Sequence, residues 1–118
     1  MRKITFFRLD SGECPVEDFL DSLSSREAQK VVWVMQLVED LEKIPKQYFK
    51  KLVNTADIWE IRIQLGSDIF RILGFFKTKS EFLATNGFRK KTQRTPPGEI
   101  ALAEKRKTQH LKRGGHHV

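Results

Sequence analysis

The chain has 118 residues, 39% of them hydrophobic, with 22 Lys+Arg against 15 Asp+Glu and a formal charge of +7. That length suits one domain with a modest core, and the composition is too apolar for a disordered chain and too polar for a membrane protein. The longest strongly apolar run, Val31 to Met35, is far short of the roughly 20 residues a spanning helix needs, and no signal peptide is visible after Met1. One cysteine, Cys14, and three histidines give neither an internal disulfide nor a structural zinc pattern, so the expectation is a cytoplasmic protein without metal or cofactor.

In chain order, Lys3 to Leu9 reads as a strand closed by the turn Asp10-Ser11-Gly12. Pro15 can open a short helix whose Val16, Phe19, Leu20 and Leu23 share one face. Ser24 and Glu27 form a capping box before a second helix with an apolar stripe through Ala28, Val31, Met35, Val38 and Leu41, stopped by Pro45; Val31 to Met35 reads as core. Lys46 to Asn54 reads as a helical turn or loop.

Asp57 to Leu65 then alternates, with Trp59, Ile61, Ile63 and Leu65 on one side and Ile58, Glu60, Arg62 and Gln64 on the other. Gly66-Ser67 predicts a two-residue hairpin loop of type I′ or II′, and Asp68 to Phe76 is the returning strand. Ser80 to Phe88 is a further strand, with a bend or bulge at Gly87. Thr95 is expected to cap a final helix whose thin stripe of Ile100, Ala103 and Leu111 predicts that it is loosely docked or awaits a partner. The expectation is an α+β domain over residues 1–113, strand order βααβββα, with an antiparallel meander sheet on an N-terminal helical hairpin, a C-terminal helix, and a flexible tail over 114–118.

Charge divides the chain unevenly. Residues 1–85 hold 13 basic and 13 acidic side chains, whereas 86–118 hold 9 basic ones against Glu99 and Glu104. The result is an acidic beginning and a basic end, which either steers a polyanion onto one face or serves as a solubilising tail.

The two-residue hairpin loop also brings two cations together. It sets Arg62 opposite Arg71 on one sheet face, where like charges repel. Either Glu60 compensates within a structural Arg-Glu-Arg network, or the pair holds an oxyanion such as phosphate, which a guanidinium fork matches bidentately. The next strand ends in Asn86-Gly87-Phe88-Arg89-Lys90-Lys91-Thr92-Gln93-Arg94, cations with one aromatic, a pattern suited to single-stranded RNA. Phe88 can equally close the sheet edge as a core residue. Glu60, Phe88, Arg89 and Arg94, with Lys105 and Lys107 of the last helix, are the candidate RNA-binding residues. No histidine lies in a candidate core to orient a hydrolase triad: His110, His116 and His117 all fall in a polar C-terminal stretch.

Ile58-Trp59-Glu60-Ile61-Arg62, Phe70-Arg71-Ile72 and Gly87-Phe88-Arg89-Lys90-Lys91-Thr92-Gln93-Arg94-Thr95-Pro96, before a helix with Glu99, Ala101 and Ala103, resemble the phage-derived HigB-like branch of the RelE/ParE toxin superfamily. Cys14-Pro15-Val16-Glu17-Asp18-Phe19-Leu20 resembles its first helix, so the likeness covers nearly the whole chain. The resemblance implies the toxin of a type II toxin–antitoxin pair. Its activity would be that of a ribosome-dependent endoribonuclease that cuts messenger RNA without metal, by attack of the ribose 2′-hydroxyl on the adjacent phosphate. It assigns Arg71 as the central catalytic arginine, Arg62 as its cross-strand companion, and Lys90 or Lys91 as the cation at the last strand's end. The implied partners are a helix-turn-helix, HigA-like antitoxin, the ribosome and messenger RNA, with no membrane. This chain departs from relatives that carry a tyrosine or histidine near the scissile phosphate: its only tyrosine, Tyr48, precedes the hairpin. A ParE-like gyrase inhibitor shares the fold without needing a phosphate-cleaving set, and a non-catalytic RNA- or protein-binding module is the reading from another class.

Overall fold

A computed structural model describes residues 2–92 and 94–115. The elements are β1 (Lys3–Phe6), α1 (Pro15–Asp21), α2 (Ser25–Asp40), β2 (Phe49–Lys51), β3 (Trp59–Leu65), β4 (Asp68–Thr78), β5 (Glu81–Lys90) and α3 (Pro97–Gly115). The five strands form one sheet in the order β1-β5-β4-β3-β2. The class is α+β as expected, but the sheet is mixed rather than an antiparallel meander, because β1 runs parallel to its only neighbour, β5. Alternation marks that a strand exists; it carries no information about which distant strand it will pair with. The expected loop over 46–54 also contains β2, a three-residue edge strand antiparallel to β3.

Local chemistry explains the helix starts. Pro15 occupies the first turn of α1, where its missing N–H is no loss. At α2 the Glu27 N–H donates to Ser24 Oγ at 3.2 Å and the Ser24 N–H donates to Glu27 Oε1 at 2.9 Å, the predicted reciprocal cap. Within α2, Val31, Val34 and Met35 are buried, while Val32 and Trp33 point outward at 44% and 45% exposure, so the apolar run is only partly core.

Two apolar layers sandwich the sheet. Alternation sends Ile61, Ile63, Phe70, Ile72, Phe82 and Ala84 against Val16 of α1 and Val31, Val34, Met35 and Val38 of α2. The opposite face presents Ile58, Leu73, Phe75 and Leu83 to Phe7 and to Ala103 of α3. Gly87 is not the bulge. It stays in register with Ile72, and a Cβ there would strike the Phe19 ring, so it marks the close approach of α1. The register instead slips between Leu73 and Gly74, where Asn86 and Ala84 pair across and Thr85 is the extra residue.

α3 is not loosely docked. Its apolar stripe is indeed thin, and Leu111 is exposed. Polar contacts replace it: Arg106 donates to the Thr85 carbonyl at 2.7 Å, Asn86 Nδ2 donates to Glu99 Oε1 at 2.9 Å, and Lys107 donates to the Ala56 carbonyl at 2.7 Å. His110, expected in a polar tail, instead packs half-buried with its ring 5.8 Å from that of Phe75. α3 includes Gly114 and Gly115, so the helix passes the expected boundary at 113. The remainder of the expected tail, with His116 and His117, lies outside the described residues. No described helix is long and apolar enough to cross a membrane.

Candidate active site

The hairpin forms as its turn residues require. Gly66 takes φ +62° and no other loop residue is left-handed, the pattern of a type II′ turn, and Leu65 pairs with Asp68. That register places Arg62 opposite Arg71. On β5 the same face continues through Phe88, opposite Arg71, and Lys90, opposite Ile69. Ile100 and Ala103 of α3 pack over one part of this face, beside Leu73 and Phe88. Another part is an open cleft of about 710 Å³ lined by Arg62, Gln64, Ser67, Ile69, Arg71, Lys90, Lys91 and Thr92.

Glu60 is the anion that permits the arginine pair. It is buried at 4% exposure and splits its carboxylate, with Oε1 3.4 Å from Arg71 Nε and Oε2 3.5 Å from Arg62 Nε. The Thr95 hydroxyl donates to Glu60 Oε1 at 2.7 Å, so Thr95, expected to serve as a helix cap, instead fixes the carboxylate. The Arg-Glu-Arg network is therefore present, but it does not satisfy the arginines. Both Nε atoms are buried without a hydrogen-bond acceptor. Among the described residues, the only hydrogen bonds from either guanidinium run from Arg71 Nη1 to the Phe70 carbonyl at 3.0 Å and from Arg62 Nη1 to the Lys46 carbonyl at 3.3 Å. A guanidinium has five donors, so the pair retains a surplus that suits an oxyanion.

Electrostatics extend the cluster to Lys90. Its ammonium pKa is pushed below the ordinary lysine value, first by burial and then by Arg71, with Glu60 opposing and Arg62 adding. Arg71 is pulled down for the same reasons, burial first, yet remains a cation. An amine whose pKa is lowered beside two fixed cations gives up its proton more readily than an ordinary lysine, the direction that base chemistry next to a guanidinium-held phosphate would need.

The other candidate residues separate. Glu60 holds the arginines from within rather than facing the cleft. Phe88 is half-buried and packs on the core under α3. Arg89 lies on the opposite face over the Phe70 ring, bound to Glu27 at 2.9 Å and Asp68 at 3.2 Å. Lys107 is tied to the Ala56 carbonyl, and Lys105 sits exposed on α3 outside the cleft. Arg94 is exposed, its carbonyl accepting from the Thr92 hydroxyl. Sequence reasoning missed Gln64, Ser67 and Ile69 in the cleft, although the hairpin register that pairs Arg62 with Arg71 also pairs Gln64 with Ile69.

No curated protein matches the chain. The family model described as "Phage derived protein Gp49-like (DUF891)" matches residues 18–108, a span that contains every residue of the cleft and of the Glu60–Thr95 support. The chain belongs to this phage-derived Gp49-like family, a toxin-like family of the RelE type.

Proposed function

We propose that the protein is the toxin of a toxin–antitoxin pair, of the HigB-like kind, and that it cleaves messenger RNA on the ribosome. The observation that carries this reading is the arginine pair. Two guanidiniums are opposed across β3 and β4, with one buried carboxylate offsetting half of their charge and few hydrogen bonds of their own, beside the depressed ammonium of Lys90. Glu60 supplies one negative charge against two positive ones, so the site keeps a net positive charge and favours ligands that bring negative charge.

In the proposed reaction Arg62 and Arg71 hold the non-bridging oxygens of the scissile phosphate, and their charge stabilises the phosphorane as it forms. Neutral Lys90 takes the proton of the ribose 2′-hydroxyl. The new bond joins the 2′-oxygen to phosphorus, the bond from phosphorus to the 5′-oxygen breaks, and that oxygen takes a proton from solvent at the open mouth of the cleft. The products are a 2′,3′-cyclic phosphate and a 5′-hydroxyl. Lys91 contributes as a phosphate-binding point charge.

Induction of the protein followed by primer extension across abundant messages tests the reading. Cuts at fixed positions relative to the reading frame are expected. DNA-damage signalling with intact messages would instead indicate a gyrase inhibitor and overturn the proposal.

A further inference from the structure

A second concave site lies at the other end of the sheet. It is a groove of about 540 Å³ beside the edge strand β2, floored by Trp59, Phe76 and Ile44 with Val53 at its mouth. Val53 is 81% exposed, the most exposed of the large apolar side chains among the described residues. The floor is prearranged: the Trp59 ring stacks on Phe49 at 4.8 Å and meets Phe76 edge-on at 5.6 Å.

The main chain at this edge is only partly used. Arg62 N–H donates to the Tyr48 carbonyl and Leu52 N–H donates to the Ile58 carbonyl, so residues 48, 50 and 52 address β3 and residues 49 and 51 face outward. The Phe49 N–H is taken by the Pro45 carbonyl. The Phe49 carbonyl and both main-chain groups of Lys51 have no main-chain partner among the described residues. Lys50 and Lys51 are exposed on this strand. Lys51 is paired with Asp57 at 2.8 Å, while Lys50 on the strand and Arg2 and Lys46 beside it add positive charge. Cations on an open edge repel a second copy of a chain carrying +7 and attract an acidic strand.

We propose that the β2 edge and its groove accept an acidic, extended segment of a partner protein by strand addition. Pairing to Phe49 and Lys51 supplies the main-chain hydrogen bonds. Alternate side chains of the added strand then fall on opposite faces: apolar ones enter the Trp59 groove on the side of Phe49, and carboxylates lie on the side of Lys50, which shares its face with Glu60. Arg2, Lys46, Lys50 and Lys51 also line the groove, so charge alone would admit a polyanion of either kind. The outward carbonyl oxygens, which repel phosphate and accept from a peptide N–H, favour an extended peptide over a nucleic acid. The inference is independent of the chemistry at the arginine cleft.

The test uses the full chain carrying Trp33→Phe, so that Trp59 is its one tryptophan, and a capped peptide of four Glu-Val repeats as the probe. Saturable binding that changes Trp59 fluorescence is expected. Lys51→Pro removes the outward N–H together with the Lys51–Asp57 ion pair, so Lys51→Ala, which removes the side chain alone, is its control. Lys51→Pro should weaken binding about tenfold or more beyond Lys51→Ala, the effect of losing main-chain pairing. Val53→Glu, at an exposed position that does not threaten folding, should weaken it by repulsion and decides the matter if Lys51→Pro misfolds. Lys90→Ala with Lys91→Ala should leave the affinity within about twofold, a difference too small to reflect a lost contact. The proposal is overturned if the peptide does not saturate. It is equally overturned if a proline-interrupted peptide of the same charge binds as well, or if oligouridylate displaces the peptide from the groove.

Discussion

Glu60 ties together the two roles that a sequence reading must treat as alternatives. It makes the arginine pair structurally tolerable and leaves the pair's remaining donors for a ligand. Stability and activity should therefore respond differently at neighbouring positions. Glu60→Gln leaves two guanidiniums side by side without their anion and should lower stability by about 3–5 kcal/mol in denaturant melts. Arg71→Ala relieves repulsion and leaves Glu60 its contacts with Arg62 and Thr95, so its loss should stay within about 1.5 kcal/mol. A drop for Arg71→Ala as large as that for Glu60→Gln would make the network purely structural. Lys90 gives a second prediction. Because its folded pKa is depressed, the neutral amine, the base of the proposed reaction, appears as pH rises at a lower pH than for an ordinary lysine. Cleavage should rise from neutral pH and level off below the ordinary lysine range, and Lys90→Arg should abolish that rise. The Arg62–Arg71 pairing was legible from a two-residue loop and strict alternation alone. The part played by Thr95 was not, since a Thr before Pro-Pro reads locally as a cap and only the tertiary fold brings Glu60 to its hydroxyl.

At the scale of elements, local signals succeeded where the determinant was itself local. Pro15, the Ser24–Glu27 box and the Gly66 turn each act within a few residues, and each element they predict is present. Two elements escaped. β2 is three residues long with two lysines, too short to show alternation, and β1 finds its parallel partner in β5 across most of the chain. α3 misled for a different reason: its docking rests on Arg106, Glu99 and Lys107, which in sequence look like a solvated charged helix. The slip in β4–β5 register supports a stability prediction. A Cβ at Gly74 would press into the Leu83 carbonyl oxygen and the Phe82 ring beside the extra residue Thr85, so Gly74→Ala should cost about 1–3 kcal/mol. An unchanged melting temperature would mean that the strands slide to accommodate it. The α2 cap has a pH signature as well. The Ser24 N–H and then Arg89 hold the Glu27 carboxyl below its ordinary value, so this contribution is present at neutral pH and is lost as pH falls through the lowered value. Hydrogen exchange at the first turn of α2 should speed up there, and more weakly in Glu27→Gln.

For the whole molecule, the uneven charge of the chain becomes two different surfaces. Arg89, Arg106, Lys107 and Arg113 of the basic end are engaged with Glu27, the Thr85 and Ala56 carbonyls and Asp10, and of the other five cations there only Lys90 and Lys91 line the cleft with the arginine pair. Lys90→Ala with Lys91→Ala should therefore flatten the salt dependence of RNA binding by about two phosphate contacts, whereas Lys105→Ala should leave the slope in place. The central claim is that the arginine cleft breaks RNA. It is tested most directly by incubating programmed ribosomes with purified wild-type and Arg71→Ala protein, matched for folded fraction, and identifying the cut ends. The account predicts 2′,3′-cyclic phosphate ends for the wild type and a rate reduced about 10²-fold or more for Arg71→Ala, the loss expected on deleting one preorganised transition-state donor. Cleavage by folded Arg71→Ala at the wild-type rate would contradict it.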